Sequence, residues 1–227
     1  MGAGYSREVV QLERGTVVAG KLELIEPLGQ GGMGSVWQAR HRTLDTDVAV
    51  KFIRPERAAD ANLLRRFERE AKAAARITSP HVVEIKDYGL VDDSAPYIVM
   101  ELLRGVSLTT IIDRDAPLSL GQVAGVVTQV AAVLTSAHAL GVVHRDIKPQ
   151  NIFLCRPVGD GEPIVKVLDF GIAKVVGETQ VSGATGITET GMVIGSPPYM
   201  SPEQLEGSRD VDHRADTWSL GIVAYQL

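Results

Sequence analysis

The chain has 227 residues, 44% of them hydrophobic, enough apolar material for one large domain or two small lobes. Its 28 acidic residues outnumber its 23 basic ones, and a net charge of −5 lacks the basic excess that marks nucleic-acid binding. The single cysteine, Cys155, has no partner for an internal disulfide, which favours a reducing, cytoplasmic setting.

Residues 1–14 read as a loose leader without the apolar core of a secretory signal. Met1-Gly2 with Ser6 matches the short myristoylation pattern, which is too brief to stand by itself. From Thr16 to Tyr97 the chain is strand-rich. Leu22, Leu24 and Ile25 lead into a glycine cluster, Val36 and Gln38 follow, and Asp47 to Ile53 alternates with β-branched residues. One helix interrupts. Leu63, Leu64, Phe67, Ala71 and Ala74 fall at helical spacing, and Pro80 ends the pattern. Strands are expected again at Val82 to Ile85 and at Tyr97 to Met100.

After Pro117 the pattern turns helical. Ser119 with Gln122 predicts a capping box, Val123, Val126, Val127, Val130, Leu134 and Ala137 form one stripe, and Gly141 stops the helix. Thr128, Gln129, Thr135, Ser136 and His138 interrupt the apolar stretch Val123 to Val143, so it reads as an amphipathic helix rather than a membrane span. Cys155 follows Ile152-Phe153-Leu154 and reads as a buried or edge-strand thiol. A loop-rich stretch covers roughly Gly171 to Gly207, and an apolar helix begins near Asp216. No membrane segment is expected within these residues, and an anchor beyond residue 227 is left open.

Gly29-Gln30-Gly31-Gly32-Met33-Gly34-Ser35-Val36 reads G-x-G-x-x-G-x-V, which lets a hairpin backbone lie close to phosphate oxygens. A strand-like Ser35 to Ala39 follows where a dinucleotide fold needs a helix, and no Gly-Lys-Ser/Thr marks a P-loop. Lys51 sits in a strand after Val48-Ala49-Val50, and Glu70 in the expected helix could fix its ammonium. The segment His144-Arg145-Asp146-Ile147-Lys148-Pro149-Gln150-Asn151 packs a histidine, cations, a carboxylate and an amide into one loop. Asp146 can accept a hydroxyl proton, Asn151 can bind Mg²⁺, and Lys148 can neutralise a moving phosphoryl group. Asp169-Phe170-Gly171 follows the apolar strand Ile164 to Leu168 and offers a hard oxygen donor. Each motif alone has an ordinary structural explanation. Their order along the chain, closing with Ser201-Pro202-Glu203, does not.

With these motifs in place, residues 16–227 resemble the eukaryotic-like (Hanks-type) protein kinases, above all the serine/threonine kinases of bacteria. Gly31-Gly32-Met33-Gly34, Tyr199-Met200-Ser201-Pro202-Glu203-Gln204 and Arg214-Ala215-Asp216-Thr217-Trp218-Ser219-Leu220-Gly221 carry the bacterial wording. The resemblance implies an α+β bilobal kinase fold. Residues 15–100 would be a β-rich N-lobe with one helix, 101–104 the hinge, and 105–227 a mostly helical C-lobe, incomplete here. It implies that Lys51 holds the α- and β-phosphates and pairs with Glu70, and that Asp169 and Asn151 hold Mg²⁺. Asp146 would orient the substrate hydroxyl with help from Lys148, and Asp216 would brace the catalytic loop from below. ATP would contact Leu28, Gly29, Gln30, Gly31, Gly32, Met33, Gly34, Val36, Ala49, Lys51, Met100, Glu101, Leu103 and Phe153. Met100 resembles the gatekeeper and Glu101 to Leu103 the adenine-binding hinge.

Lys148 beside Asp146, with Ser196 near Ser201-Pro202-Glu203, resembles the serine/threonine class. Trp37 stands where tyrosine is commoner and Ser196 where threonine is, and the arginine that would pair with Glu203 lies in the family's later residues. The implied activity is transfer of the ATP γ-phosphate to serine or threonine of protein substrates, with Mg²⁺ or Mn²⁺ as cofactor. Self-association for autophosphorylation in trans goes with it. Arg145 and Lys174 resemble a basic pocket for a phosphate on the activation segment, with Thr188 and Thr190 as acceptors ahead of Thr185 and Ser182. The competing expectation is an inactive fragment that binds nucleotide or a partner. A 227-residue chain ending in an apolar helix is expected to be aggregation-prone and nearly inactive by itself.

Overall fold

The computed structural model describes residues 12–31, 34–53, 61–91, 95–156, 163–170, 197–208 and 211–227. Within residues 61–74 it describes the side chains of Arg65, Glu68, Arg69 and residues 71–74. The chain divides into two compact units, one of residues 1–64 with 86–102, the other of residues 65–85 with 103–227.

The first unit is a six-stranded sheet. Its strands are β1 (Val17–Val18), β2 (Leu22–Gly31), β3 (Gly34–His41), β4 (Thr46–Ile53), β5 (Ile85–Val91) and β6 (Ala95–Glu101). They lie in the order β1-β2-β3-β4-β6-β5. Neighbours from β1 to β4, and β4 with β6, are antiparallel. Side chains alternate across the sheet with period two. Leu22, Leu24, Trp37, Ala39, Val48, Val50, Phe52, Tyr97 and Val99 therefore fall on one face and form the core of this unit. The opposite face carries Val36, Ala49, Lys51, Ile98 and Met100.

The strand expected at Val82 to Ile85 begins at Ile85 instead and runs on to Val91. Val82 forms only an isolated parallel bridge with Val167. Both Val82 and Val83 are buried, so they look like strand residues in the sequence. The actual strand, Ile-Lys-Asp-Tyr-Gly-Leu-Val, alternates weakly because Gly89 faces Tyr97 and has no side chain to contribute.

The second unit is built on helix α3 (Leu120–Ala139). It packs with the short α2 (Leu108–Asp115), α5 (Arg214–Gln226) and a three-stranded sheet of β7 (Gly105–Ser107), β8 (Ile152–Cys155) and β9 (Ile164–Val167). Helix α1 (Ala61–Ala74) sends Ala74 into the same core, with Ile77 just beyond it. α4 (Pro202–Leu205) is a single turn. α2 was not expected from the sequence, although Ser107 is a cap residue whose hydroxyl accepts the Thr110 N–H at 3.3 Å.

The α3 ends follow the sequence expectation. Gln122 Oε1 accepts the Ser119 N–H at 3.0 Å and Ser119 Oγ accepts the Gln122 N–H at 3.4 Å, which is the capping box. At the other end Gly141 has φ of 72°, its N–H reaches the His138 carbonyl at 2.9 Å, and the Val142 N–H reaches that of Ala137 at 2.9 Å. This is a Schellman closure. α3 is long and apolar enough to cross a membrane by length and composition. Here Val126, Val130, Val133, Leu134 and Ala137 are buried in the core of the second unit, while Thr135 and Ser136 bond back to the Ala131 and Ala132 carbonyls.

Candidate active site

In the first unit, the glycine-rich hairpin closes where β2 meets β3. Gly31 pairs with Gly34, Gln30 with Ser35 and Gly29 with Val36. Gly32 and Met33 lie outside the described residues. The glycines differ in what demands them. Gly34 has φ of 151°, and a Cβ there would meet the Phe52 carbonyl oxygen at 1.8 Å, so the β3–β4 backbone contact excludes any side chain. A Cβ at Gly29 or Gly31 would meet nothing within 4 Å. Packing within the sheet does not ask for glycine at these two positions.

Leu28 is 48% exposed near the hairpin end. Cross-strand register aligns Val36 with Lys51 and Ile98, and sets Ala49 beside Met100. Lys51, only 9% exposed, thus lies on the same sheet face as Val36, Ala49 and Met100. Glu101 ends β6, and the division between units falls after Leu102, so Leu103 opens the second. Glu70 has its backbone on α1, and its side chain lies outside those described.

In the second unit, the loop between α3 and β8 gathers the remaining chemistry. Asp146 Oδ2 receives Lys148 Nζ at 2.8 Å and Asn151 Nδ2 at 3.0 Å. Asn151 Nδ2 also donates to the Asp146 carbonyl at 2.8 Å. The Asn151 amide nitrogen is therefore committed to Asp146, which turns its oxygen, a hard donor, the other way. A 3₁₀ turn over Pro149–Asn151 then delivers the chain into β8, where Phe153 pairs with Lys166. The Leu168 N–H bonds to the Asn151 carbonyl at 2.8 Å, which brings Asp169 beside Asn151. Asp169 has φ of 59° and Arg145 has φ of 66°, conformations a non-glycine residue adopts at a cost of about 1–3 kcal/mol when its surroundings enforce them.

The surroundings do enforce them. Asp216, at 0% exposure in the first turn of α5, accepts the Arg145 N–H through Oδ1 at 2.7 Å and the His144 N–H through Oδ2 at 2.8 Å. Its Oδ2 also receives His138 Nε2 from α3 at 2.7 Å. The carboxylate thus joins both helices to the loop that carries Asp146, the bracing role that the sequence resemblance implied. His144 is 1% exposed. Its Nδ1 accepts the Asp146 N–H at 3.2 Å, so its Nε2 carries the proton and donates to the Leu168 carbonyl at 2.7 Å. Its ring meets Phe170 edge-on at 4.6 Å. His144 therefore ties the Asp146 loop to the Asp169 segment. The sequence reading assigned no role to His138 or His144, because no local spacing predicts where a ring nitrogen lands after folding.

Thr188, Thr190, Lys174 and Ser196 lie outside the described residues. Among those described, no three His, Cys, Asp or Glu side chains group as a metal cluster. The Asn151 oxygen and Asp169 nonetheless suit a hard divalent cation that takes its other ligands from phosphate and water.

The curled sheet with glycine hairpin and strand lysine, and the helical unit carrying this loop, define a protein kinase fold. The protein kinase domain family matches residues 22–227, and the chain belongs to it, among the Hanks-type kinases of bacteria. It is 43% identical over 213 residues to the serine/threonine-protein kinase pkn3 of Myxococcus xanthus, covering 94% of this chain and 38% of that protein. It is 40% identical to serine/threonine-protein kinase PknB of Mycobacterium leprae, covering 91% of this chain and 32% of that one. The crystal structure of the Mycobacterium tuberculosis PknI kinase domain superposes with a TM-score of 0.74 at 33% identity, covering 96% of this chain and 77% of the other. The chain thus spans about a third of the length of the curated relatives it matches.

Proposed function

We propose that these residues carry the catalytic machinery of a serine/threonine protein kinase that moves the ATP γ-phosphoryl group to a protein hydroxyl. The observation that carries this reading is the constellation at Asp146. Lys148 and Asn151 both engage Oδ2, which leaves Oδ1 to accept the proton of an attacking serine or threonine hydroxyl. The substrate oxygen bonds to the γ-phosphorus as the bond to the β-bridging oxygen breaks, and ADP leaves. Lys148 lies within reach of the same carboxylate and offsets negative charge on the moving group.

Asn151 and Asp169 would hold Mg²⁺, with Mn²⁺ as a substitute. When bound, the metal supplies charge neutralisation across the phosphate oxygens. Lys51, positioned by Glu70, holds the α- and β-phosphates. Leu28, Gly29, Gln30, Gly31, Gly32, Met33, Gly34, Val36 and Ala49 form one side of the nucleotide's contacts. Met100, Glu101, Leu103 and Phe153 supply the rest. The open space at Gly29 and Gly31 supports this reading, since a phosphate-binding backbone needs room that a side chain would take. We further infer that the kinase self-associates to phosphorylate Thr188 and Thr190 in trans, with Arg145 and Lys174 receiving the phosphate. The names of the curated relatives support a protein substrate. A cytoplasmic kinase domain goes with this reading, and any membrane anchor would belong to residues outside this chain.

The test is phosphoryl transfer by the gene product that contains these residues. Asp146→Asn and Lys51→Met are each expected to lower turnover by about 10²-fold or more while the melting transition is retained. Near wild-type transfer by Asp146→Asn would remove the assignment.

A further inference from the structure

Several backbone polar groups around Asp146 have side-chain partners, and one of those partners comes from an unexpected place. The Arg145 N–H is held by Asp216 and the Asp146 N–H by His144. The carbonyl of Arg145 belongs to the same peptide unit as the Asp146 N–H. It accepts Gln204 Nε2 at 3.0 Å. Gln204 lies on α4, directly after Ser201-Pro202-Glu203. Its other end is equally engaged, since Oε1 accepts the Ser201 N–H at 3.1 Å and the Ser201 hydroxyl at 3.3 Å. One amide therefore closes the helix start with its oxygen and holds the catalytic loop with its nitrogen. Ser201 itself is 1% exposed, so the anchor does not move freely.

We propose that Gln204 is a positioning residue that couples the Ser201-Pro202-Glu203 segment to the Asp146 loop. The inference rests on the kinase reading above and deepens it. Arg145 is held at φ of 66°, a conformation that rotates away once its anchors are lost. Rotation of the peptide between Arg145 and Asp146 moves the Asp146 carboxylate relative to a bound hydroxyl. Misplacement of about 1 Å can cost up to roughly 10²-fold in rate. The segment that opens at Ser201 and the orientation of Asp146 therefore share one amide.

A purely local role in starting α4 makes a different prediction, and Gln204→Glu separates the two. Glutamate keeps the acceptor that the Ser201 N–H needs, as in an ordinary capping box. It loses the donor, and its carboxylate faces the Arg145 carbonyl oxygen. Gln204→Leu loses both ends. Both variants, wild type and the Asp146→Asn control are compared in the gene product containing these residues, with a peptide substrate. Gln204→Glu is expected to keep its melting temperature and its KM for ATP within about twofold, and to lose about tenfold in kcat. Its activity recovers as pH is lowered and the carboxyl gains a proton that it can donate to Arg145, a trend absent from the wild-type profile. Backbone amides at residues 144–148 exchange hydrogen faster in Gln204→Glu than in wild type. A kcat within twofold of wild type, or unchanged exchange at 144–148, overturns the proposal. Wild type without transfer activity would remove the kinase reading instead, and the exchange measurement would still decide whether Gln204 holds the loop.

Discussion

Asp216 concentrates more consequence than any other single carboxylate in the second unit. It is fully buried, and His138, His144 and Arg145 all donate to it. Asp216→Ala would leave the buried His144 N–H and the half-buried Arg145 N–H without acceptors, at about 1–3 kcal/mol for the buried one and less for the other. Denaturant unfolding should show a loss of several kcal/mol, with an unchanged midpoint counting against the brace. Much at this scale was legible in advance. Asp146, Lys148 and Asn151 are close in sequence, so one loop had to bring them together. The resemblance implied the Asp216 brace on the loop, but its His138 partner was not legible, because His138 and Asp216 come from separate helices and only packing of α3 against α5 sets ring and carboxylate face to face.

Among the elements, the glycine hairpin allows a paired test. Gly34→Ala places a Cβ against the Phe52 carbonyl at positive φ, so the sheet must shift, costing about 1–3 kcal/mol. Gly31→Ala meets no neighbour within 4 Å and should leave stability nearly unchanged while weakening nucleotide binding. Thermal melts with and without ATP separate the two. Equal destabilisation by both would contradict the geometry. Ser119→Ala should cost the second unit about 1 kcal/mol through its lost N-cap on α3, read by the same melts. A capping box and an apolar stripe made α3 readable from sequence, β-branched alternation marked β4, and an apolar run marked α5. α2 and β5 were not, since Leu108–Asp115 is short and β5 carries Asp87, Tyr88 and Gly89 where alternation was needed.

At the scale of the whole molecule, α5 buries only part of itself. Ala215, Asp216, Ser219, Leu220 and Val223 face the core, while Trp218 is 47% and Tyr225 91% exposed. Beside Trp218, a groove of about 490 Å³ is lined by His213, Arg214, Thr217, Gly221 and Ile222. An apolar face of this kind promotes association. The 227-residue chain should bind a hydrophobic dye and self-associate, and Trp218→Ser with Tyr225→Ser should reduce both. Light scattering that shows a monomer with no dye binding would sink this expectation.

The order of motifs along the chain is enough to place the family and to nominate the candidate reacting groups. Glycine loop, strand lysine, loop aspartate and metal ligands are local patterns, and local patterns survive without a fold. How those groups are held depends on the folded chain. The strained Arg145 and Asp169 conformations, the proton position on His144, the His138–Asp216 contact and the Gln204 tie all depend on groups distant in sequence. Hydrogen-bond partners of buried polar atoms are chosen by packing, because each must be satisfied by whatever the neighbouring element presents.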